Sequence, residues 1–279
     1  MTLALAQKRP AEPRPVSTVA PGLPAHISPT AAKAYLGCSL RFYFERVAGI
    51  PKPTSPALHL GKAVHAALQA FHLALWRGRD HSPEAVAEAF EQSFRQLEDE
   101  EGPVSYPDPA AREKAHAAGH RVVAAYLASD QCLQEPPKAV EVFLSERIAG
   151  LSVPLTGAMD LVRRDLTPVD FKSAAARPAP EQAAFDHELQ LVSYQLMLEA
   201  VTGEAPPALE LVYLVKTKTP RVIKVTARPA DARRKARVLA MLETAVAGIA
   251  EGRFHPQPAM HCSWCQYRKE CTAWTGGAA

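Results

Sequence analysis

Leu155-Thr156-Gly157-Ala158-Met159-Asp160-Leu161-Val162, followed after a short polar link by Pro168-Val169-Asp170-Phe171-Lys172, is the stretch on which the reading of this chain turns. Both runs read as buried strands, yet they carry three charged side chains. Strand side chains alternate between faces, so Asp170 and Lys172 share one face and Phe171 takes the other. The link Arg163-Arg164-Asp165-Leu166-Thr167-Pro168 has the polar, proline-containing character of a turn. A hairpin closed by that turn sets Asp160 beside Asp170.

Two carboxylates held together repel each other unless a cation lies between them. Hard oxygen ligands with room for water suit Mg²⁺ or Mn²⁺. A lysine beside them can stabilise a developing oxyanion or assist a metal-bound water. Such a set is equipped to hydrolyse a phosphodiester. The same residues also describe a surface hairpin with solvated charges, or an ordinary Asp–Lys pair. An Asp-x-Lys pattern is short, and on its own it leaves both readings open.

Working outward, Lys138–Ile148 alternates Val140, Val142 and Leu144 with Glu141, Phe143 and Ser145, so three strands form a meander. Glu141 is read as facing water on an edge, with a place near the acidic pair as the alternative. Downstream, a helix is expected over Gln182–Val201, with Leu189, Val192, Leu196 and Met197 on one stripe. Gln190 and Tyr194 share another face and read as a surface polar pair. Strands at 208–215 and 222–226 flank the basic link 216–221, which is either a solvated hairpin tip or a phosphate contact. A last helix covers about 229–250.

Upstream, Ser28 is a plausible N-cap with Pro29 at the first helical position. That helix is expected to carry Tyr35, Leu36 and Cys38 and to continue through Arg46, with Phe42, Tyr43 and Phe44 packing in the core. Residues 58–130 read as a helical insert packed on the strands. In its first helix Val64, Leu68, Phe71 and Leu75 repeat at helical spacing. His65 and His72 lie on similar faces of that helix, and Gly61 leaves space beside His65. A lone helical histidine is usually a surface residue or a satisfied core residue.

The composition sets the limits. The chain has 279 residues, 47% of them hydrophobic, enough for one large domain or two small ones with a full core. A net charge of +3 does not by itself announce a nucleic-acid binder. There is no apolar run of membrane-spanning length and no signal segment, so a soluble cytoplasmic protein away from membranes is expected. Residues 1–26 read as a disordered or extended proline-rich tail, 27–273 as a single domain, and 274–279 as a tail. Within that domain, 58–130 is the helical region, 138–227 the sheet with its helix at 182–201, and 254–273 a cysteine segment.

Five cysteines fit metal or cluster ligation with one bystander better than a disulfide framework. Cys262, Cys265 and Cys271 form a C-x2-C-x5-C array, and thiolates so close repel unless they share a metal. With His261 the array makes a zinc site. With a distant fourth cysteine, for which Cys38 is the natural choice, it holds an iron–sulfur cluster. Such a link clasps the two ends of the domain, where loop closure costs most. Cys132 is the bystander.

Six segments in one order resemble the RecB-like branch of the PD-(D/E)xK nuclease superfamily. More narrowly, they are similar to its iron–sulfur members, the AddB-type nuclease domains and the CRISPR-associated exonucleases. These segments are Ser28–Tyr35 with Cys38 and Arg41-Phe42-Tyr43; Gly61-Lys62-Ala63-Val64-His65-Ala66-Ala67-Leu68; Gly157-Ala158-Met159-Asp160; Val169-Asp170-Phe171-Lys172-Ser173; Gln190-Leu191-Val192-Ser193-Tyr194; and the three terminal cysteines. The resemblance implies an α/β fold with a restriction-endonuclease-like core, a central mixed sheet flanked by helices. It implies Mg²⁺ or Mn²⁺ held by His65, Asp160, Asp170 and the carbonyl of Phe171. Lys172 would polarise water, Gln190 would orient the lysine or substrate, and Tyr194 would support that face. Cys38, Cys262, Cys265 and Cys271 would hold a [4Fe–4S] cluster.

The implied activity is a DNA exonuclease on single-stranded or frayed ends, serving repair, recombination or defence. The competing reading is an inactive DNA-binding accessory subunit with a structural iron–sulfur or zinc site. The chain has no G-x-x-x-x-G-K-[ST] segment, so a separate helicase, recombination or CRISPR protein is the expected partner if there is one.

Overall fold

The computed structural model describes residues 22–102 and 104–276. The tails assigned to 1–26 and 274–279 lie largely outside the described residues. Five strands form one mixed sheet in sequence order: β1 (Ala139–Glu146), β2 (Leu155–Val162), β3 (Pro168–Ala174), β4 (Leu209–Val215) and β5 (Arg221–Ala227). The β1–β2, β2–β3 and β4–β5 pairs are antiparallel, and β3–β4 is parallel. The parallel pair needs a long crossover, which helices α6 (Pro180–Asp186) and α7 (Glu188–Thr202) supply. This is the mixed α/β core that the resemblance implied.

Helices cover both faces, as the buried strands require. On one side α1 (Pro29–Gly37), α7 and α8 (Ala232–Ala250) share a core with Val142, Leu144, Leu155 and Met159. On the other, α3 (Pro56–Trp76), α4 (Pro83–Glu101) and α5 (Pro109–Leu127) pack Leu68, Phe94 and Tyr126 against Val140, Leu161, Phe171 and Val212. Strand β4 is buried throughout. Its Glu210 is tolerated there because Arg163 reaches it at 2.9 Å and Lys224 at 3.7 Å. Ser28, Ser55, Ser82 and Asp108 cap the helices they precede, each with proline in the first turn.

Two expected helices are broken, and both breaks matter. The helix assigned from Ser28 through Arg46 stops at Cys38, whose backbone is extended (φ −164°, ψ 103°). It resumes as α2 (Ser39–Phe42) and a π-turn over Tyr43–Val47. The helix assigned to 182–201 is interrupted at His187, leaving α6 and α7 as separate pieces. Gly37 stands at the first break, but neither glycine nor proline marks the second, and the helical spacing runs through both. Phe42, Tyr43 and Phe44 are core residues as expected. Cys132 is a buried member of the insert's core, where burial pushes its thiol up to about 11. Among the described residues no helix is long and apolar enough to cross a membrane.

Candidate active site

Strands β2 and β3 pair at only two positions, Leu161–Val169 and Val162–Pro168, and then separate. Asp160 is the first residue past that ladder. Its Oδ2 accepts the Phe171 amide at 2.7 Å. A carboxylate thereby takes a donor that a continuous ladder would give to a backbone carbonyl. Across β2, Glu141 falls between the Val140–Leu161 and Val142–Met159 pairs with φ of 51°. A left-handed backbone at a residue other than glycine costs roughly 1–2 kcal/mol, and such strain gathers at functional positions. Glu141 lines the same cleft as Asp160, so the edge reading preferred from the sequence is corrected.

Helix α3 delivers His65 to this opening, with Nδ1 3.5 Å from Asp160 Oδ2. The cleft, about 720 Å³, is also lined by Gly61, Lys62, Ala158 and Ser173. A Cβ on Gly61 would meet nothing closer than 3.9 Å, so the space expected beside the imidazole is present. His72, two turns on, is a different case: it is buried, with Nε2 2.8 Å from the Tyr126 hydroxyl. Burial drives its imidazole down to about 3, so it is a neutral core residue.

Helix α7 supplies the rest. Gln190 and Tyr194 are not the surface pair that spacing alone suggested. Gln190 Nε2 donates to Asp170 Oδ1 at 2.7 Å, and its Oε1 accepts from Lys172 Nζ at 2.9 Å. Tyr194 donates to the Ala158 carbonyl at 2.7 Å and lies 3.2 Å from Asp170 Oδ1. This approach needs Gly157, where a Cβ would stand 2.7 Å from Met197 Cε and 3.4 Å from Tyr194 Cε1. Lys172 Nζ lies 2.7 Å from Asp170 Oδ2, yet that oxygen, fully buried, accepts no well-directed hydrogen bond. Phe171 points to the opposite face, stacked on His72, as strand alternation predicted.

The electrostatics follow from this crowding. Burial and the neighbouring Asp160 charge raise Asp170 above the usual carboxylate range, against the pull of Lys172. Burial would also raise Asp160, but the hydrogen bond and charge of His65 and the Phe171 amide outweigh it and hold Asp160 low. For His65, burial is outweighed by Asp160, and the imidazole is held above its ordinary value. The half-buried Asp160 carboxylate, the buried Asp170 carboxylate with its under-bonded Oδ2, and the His65 imidazole are donors of the kind a hard divalent cation takes, although their ligand atoms do not all lie within 4.8 Å of one another.

The sequence did not single out His187 or Lys33. The break before α7 places His187 beside Gln190, where burial and the charges of Lys172 and Lys33 lower it to about 4. Lys33 reaches over from α1 to the Asp186 carbonyl at 2.8 Å. No local motif marks either residue, because their place depends on how α1 and α7 pack.

A second constellation lies at the other end of α1. Cys38, Cys262, Cys265 and Cys271 line one cavity of about 160 Å³, with His261 also on its wall. The Cys271 thiol is raised by burial and by the other three cysteines. Leu40 and Ser39 bond to the His255 carbonyl and Gln257 side chain at 3.1 and 2.7 Å, and Lys52 meets Glu270 at 2.6 Å. The two ends of the chain are therefore joined around the cysteines.

Comparison with known proteins agrees with this architecture. The crystal structure of a "Putative exonuclease" from Eubacterium rectale is similar with a TM-score of 0.53 at 14% identity, covering 87% of this chain and 88% of that one. The protein named SSO0001 aligns over 88% of this chain and 95% of its own at 12% identity, with a TM-score of 0.35. None of the curated proteins compared with this chain matches it in sequence. The sequence profile of the PD-(D/E)XK nuclease superfamily matches residues 26–272, nearly the whole described chain, and the protein belongs to that superfamily.

Proposed function

We propose that the protein is a divalent-metal-dependent deoxyribonuclease of the RecB-like branch, acting from single-stranded or frayed DNA ends. Residues 27–273 form its single nuclease domain. The observation that carries this reading is the bracing of Lys172. Its ammonium is held by Gln190 Oε1 and Asp170, within electrostatic reach of Asp160 and His65, two residues that line the open cleft. A lysine wanted only for stability has no need of a glutamine that also fixes the acidic residue. The relative named as an exonuclease supports a choice of ends over internal sites.

His65, Asp160, Asp170 and the Phe171 carbonyl would hold Mg²⁺ or Mn²⁺, and the ion, when bound, supplies positive charge to the phosphate and makes water more acidic. Asp160 keeps its charge because His65 and the Phe171 amide favour the ionised form. Gln190 spans Lys172, Asp170 and Tyr194, so one side chain fixes the heading of the lysine and of the acid. Lys172 directs its charge at the phosphate oxygens and orients the attacking water. Lys62, on the cleft wall, would add positive charge toward the DNA backbone.

The four cysteines would hold a [4Fe–4S] cluster. Thiolates around one zinc, bound at about 2.3 Å, sit about 3.8 Å apart. No three of these sulfurs fall within 4.8 Å of one another, so a single zinc would require them to draw closer. The experiment is digestion of end-labelled single- and double-stranded DNA with Mg²⁺ or Mn²⁺. Progressive loss of nucleotides from ends, absent in Lys172→Ala, is the expected result. DNA binding without cleavage under every metal condition would establish the accessory-subunit reading instead.

A further inference from the structure

Away from both sites, α4 and α5 bring Glu91, His116 and His120 together. We propose that these three residues form a separate binding site for a zinc-class divalent ion, one that pins α4 to α5.

One ligand atom from each residue lies within 4.8 Å of the other two; among the described residues no other group of three does this. His116 Nε2 is 2.8 Å from Glu91 Oε1, and His120 Nε2 is hydrogen-bonded to the same oxygen. His116 and His120 are four apart on α5, so their rings project from one face of the helix. The pairing of two imidazoles from one helix with a carboxylate from another is a recognised zinc donor set. Imidazole nitrogen selects zinc and its neighbours over Mg²⁺, which distinguishes this site from the acidic cleft.

The rings are also held in advance. Phe90 packs against His120 at 4.8 Å and His116 at 5.7 Å, and Phe94 lies 5.0 Å from His116. Gly119 makes room for this packing: a Cβ there would fall 2.1 Å from the Phe90 ring. Both imidazoles thus aim Nε2 at one point without losing further rotamer freedom. Tetrahedral nitrogen and oxygen ligands about 2.0–2.1 Å from zinc stand about 3.3–3.4 Å apart. Glu91 Oε1 now sits closer to the nitrogens than that. It has to retreat by less than about an ångström, which a glutamate side chain can do. The site is half-exposed, so water can complete the coordination.

The test compares zinc uptake by the protein as purified, with its cysteine site intact and Mg²⁺ saturating. By equilibrium dialysis and elemental analysis, the parent takes up one zinc per chain more than His116→Gln/His120→Gln. Zinc raises the Tm of the parent and leaves that of the double variant unchanged. Glu91→Gln, which retains an oxygen to accept from a histidine, weakens uptake by about tenfold or more. Co²⁺ at this site absorbs in the visible without a thiolate charge-transfer band. Circular dichroism checks that the double variant folds, and if it does not, Glu91→Gln decides alone. Equal zinc uptake by parent and variants, or cobalt spectra showing thiolate ligation only, overturns the proposal.

Discussion

Lys172 Nζ has two neighbours within hydrogen-bond range, the Asp170 carboxylate at 2.7 Å and the neutral Gln190 carbonyl oxygen at 2.9 Å. Lys172→Ala is expected to lower kcat by about a hundredfold or more, with DNA affinity little changed, since under the proposed function it removes charge directed at the reacting phosphate. Gln190→Ala leaves the ammonium in place but frees its heading, and is expected to lower kcat by about tenfold. Single-turnover cleavage alongside a binding isotherm separates these effects. His72 provides a different readout. Its folded-state pKa of about 3 lies below the ordinary value of 6.5, so at mildly acid pH the unfolded chain binds a proton that the folded chain refuses. Stability is therefore full above pH 6.5 and falls as pH drops from there toward 3, by on the order of a few kcal/mol. His72→Asn is expected to flatten that slope in urea titrations across pH, even if it is less stable at pH 7.

Among the elements, α7 depends on a side chain missing from the strand it crosses, at Gly157. It is buried on nearly every face, between the sheet on one side and α1 and α8 on the other, so it can shift only as a unit. Gly157→Val places branched carbons where Met197 and Tyr194 now sit, and overpacking of this kind costs about 1–3 kcal/mol. The expected outcome is a lower Tm together with lost activity, because Tyr194 and Gln190 move with the helix. The nearer obstruction is the flexible tip of Met197, so adding Met197→Ala should recover much of the stability. Thermal melts and cleavage rates of the single and double variants check both parts.

Across the whole molecule, the polypeptide closes on itself at the cysteine cavity. Contacts there join residues near 38–52 to residues near 254–271, so the long intervening chain is closed into one loop. A crosslink at such a closure restricts the unfolded chain strongly. Cys38→Ser is expected to abolish visible absorbance at roughly 400 nm in anaerobically purified protein. It should also lower the Tm by several degrees and admit protease into 254–273 first. Limited proteolysis followed by mass mapping tests this, since the sheet lies elsewhere in the fold and should stay protected.

The mixed sheet was implied by the resemblance, while the sequence itself determined much of the inventory: the acidic strand pair, the capped helices and the cysteine array. These depend on local pattern, namely strand alternation, helical spacing and the Ser-Pro and Asp-Pro helix starts, and local pattern survives folding. It also separated Phe171 from Asp170 and Lys172 by face, as the stacking on His72 bears out. Tertiary structure decided what local pattern cannot carry. Gln190 and Tyr194 looked like surface polar residues until α7 was laid across β2 and β3. His187 and Lys33 joined the site only through packing, and Glu141 entered the cleft because its backbone turns left-handed where the β1–β2 ladder is interrupted. Glu91, His116 and His120 are separated by at least a helix turn in sequence and meet only because Gly119 lets two helices come close. Periodicity tells which way a side chain faces along its own element; what it meets there depends on the neighbouring element.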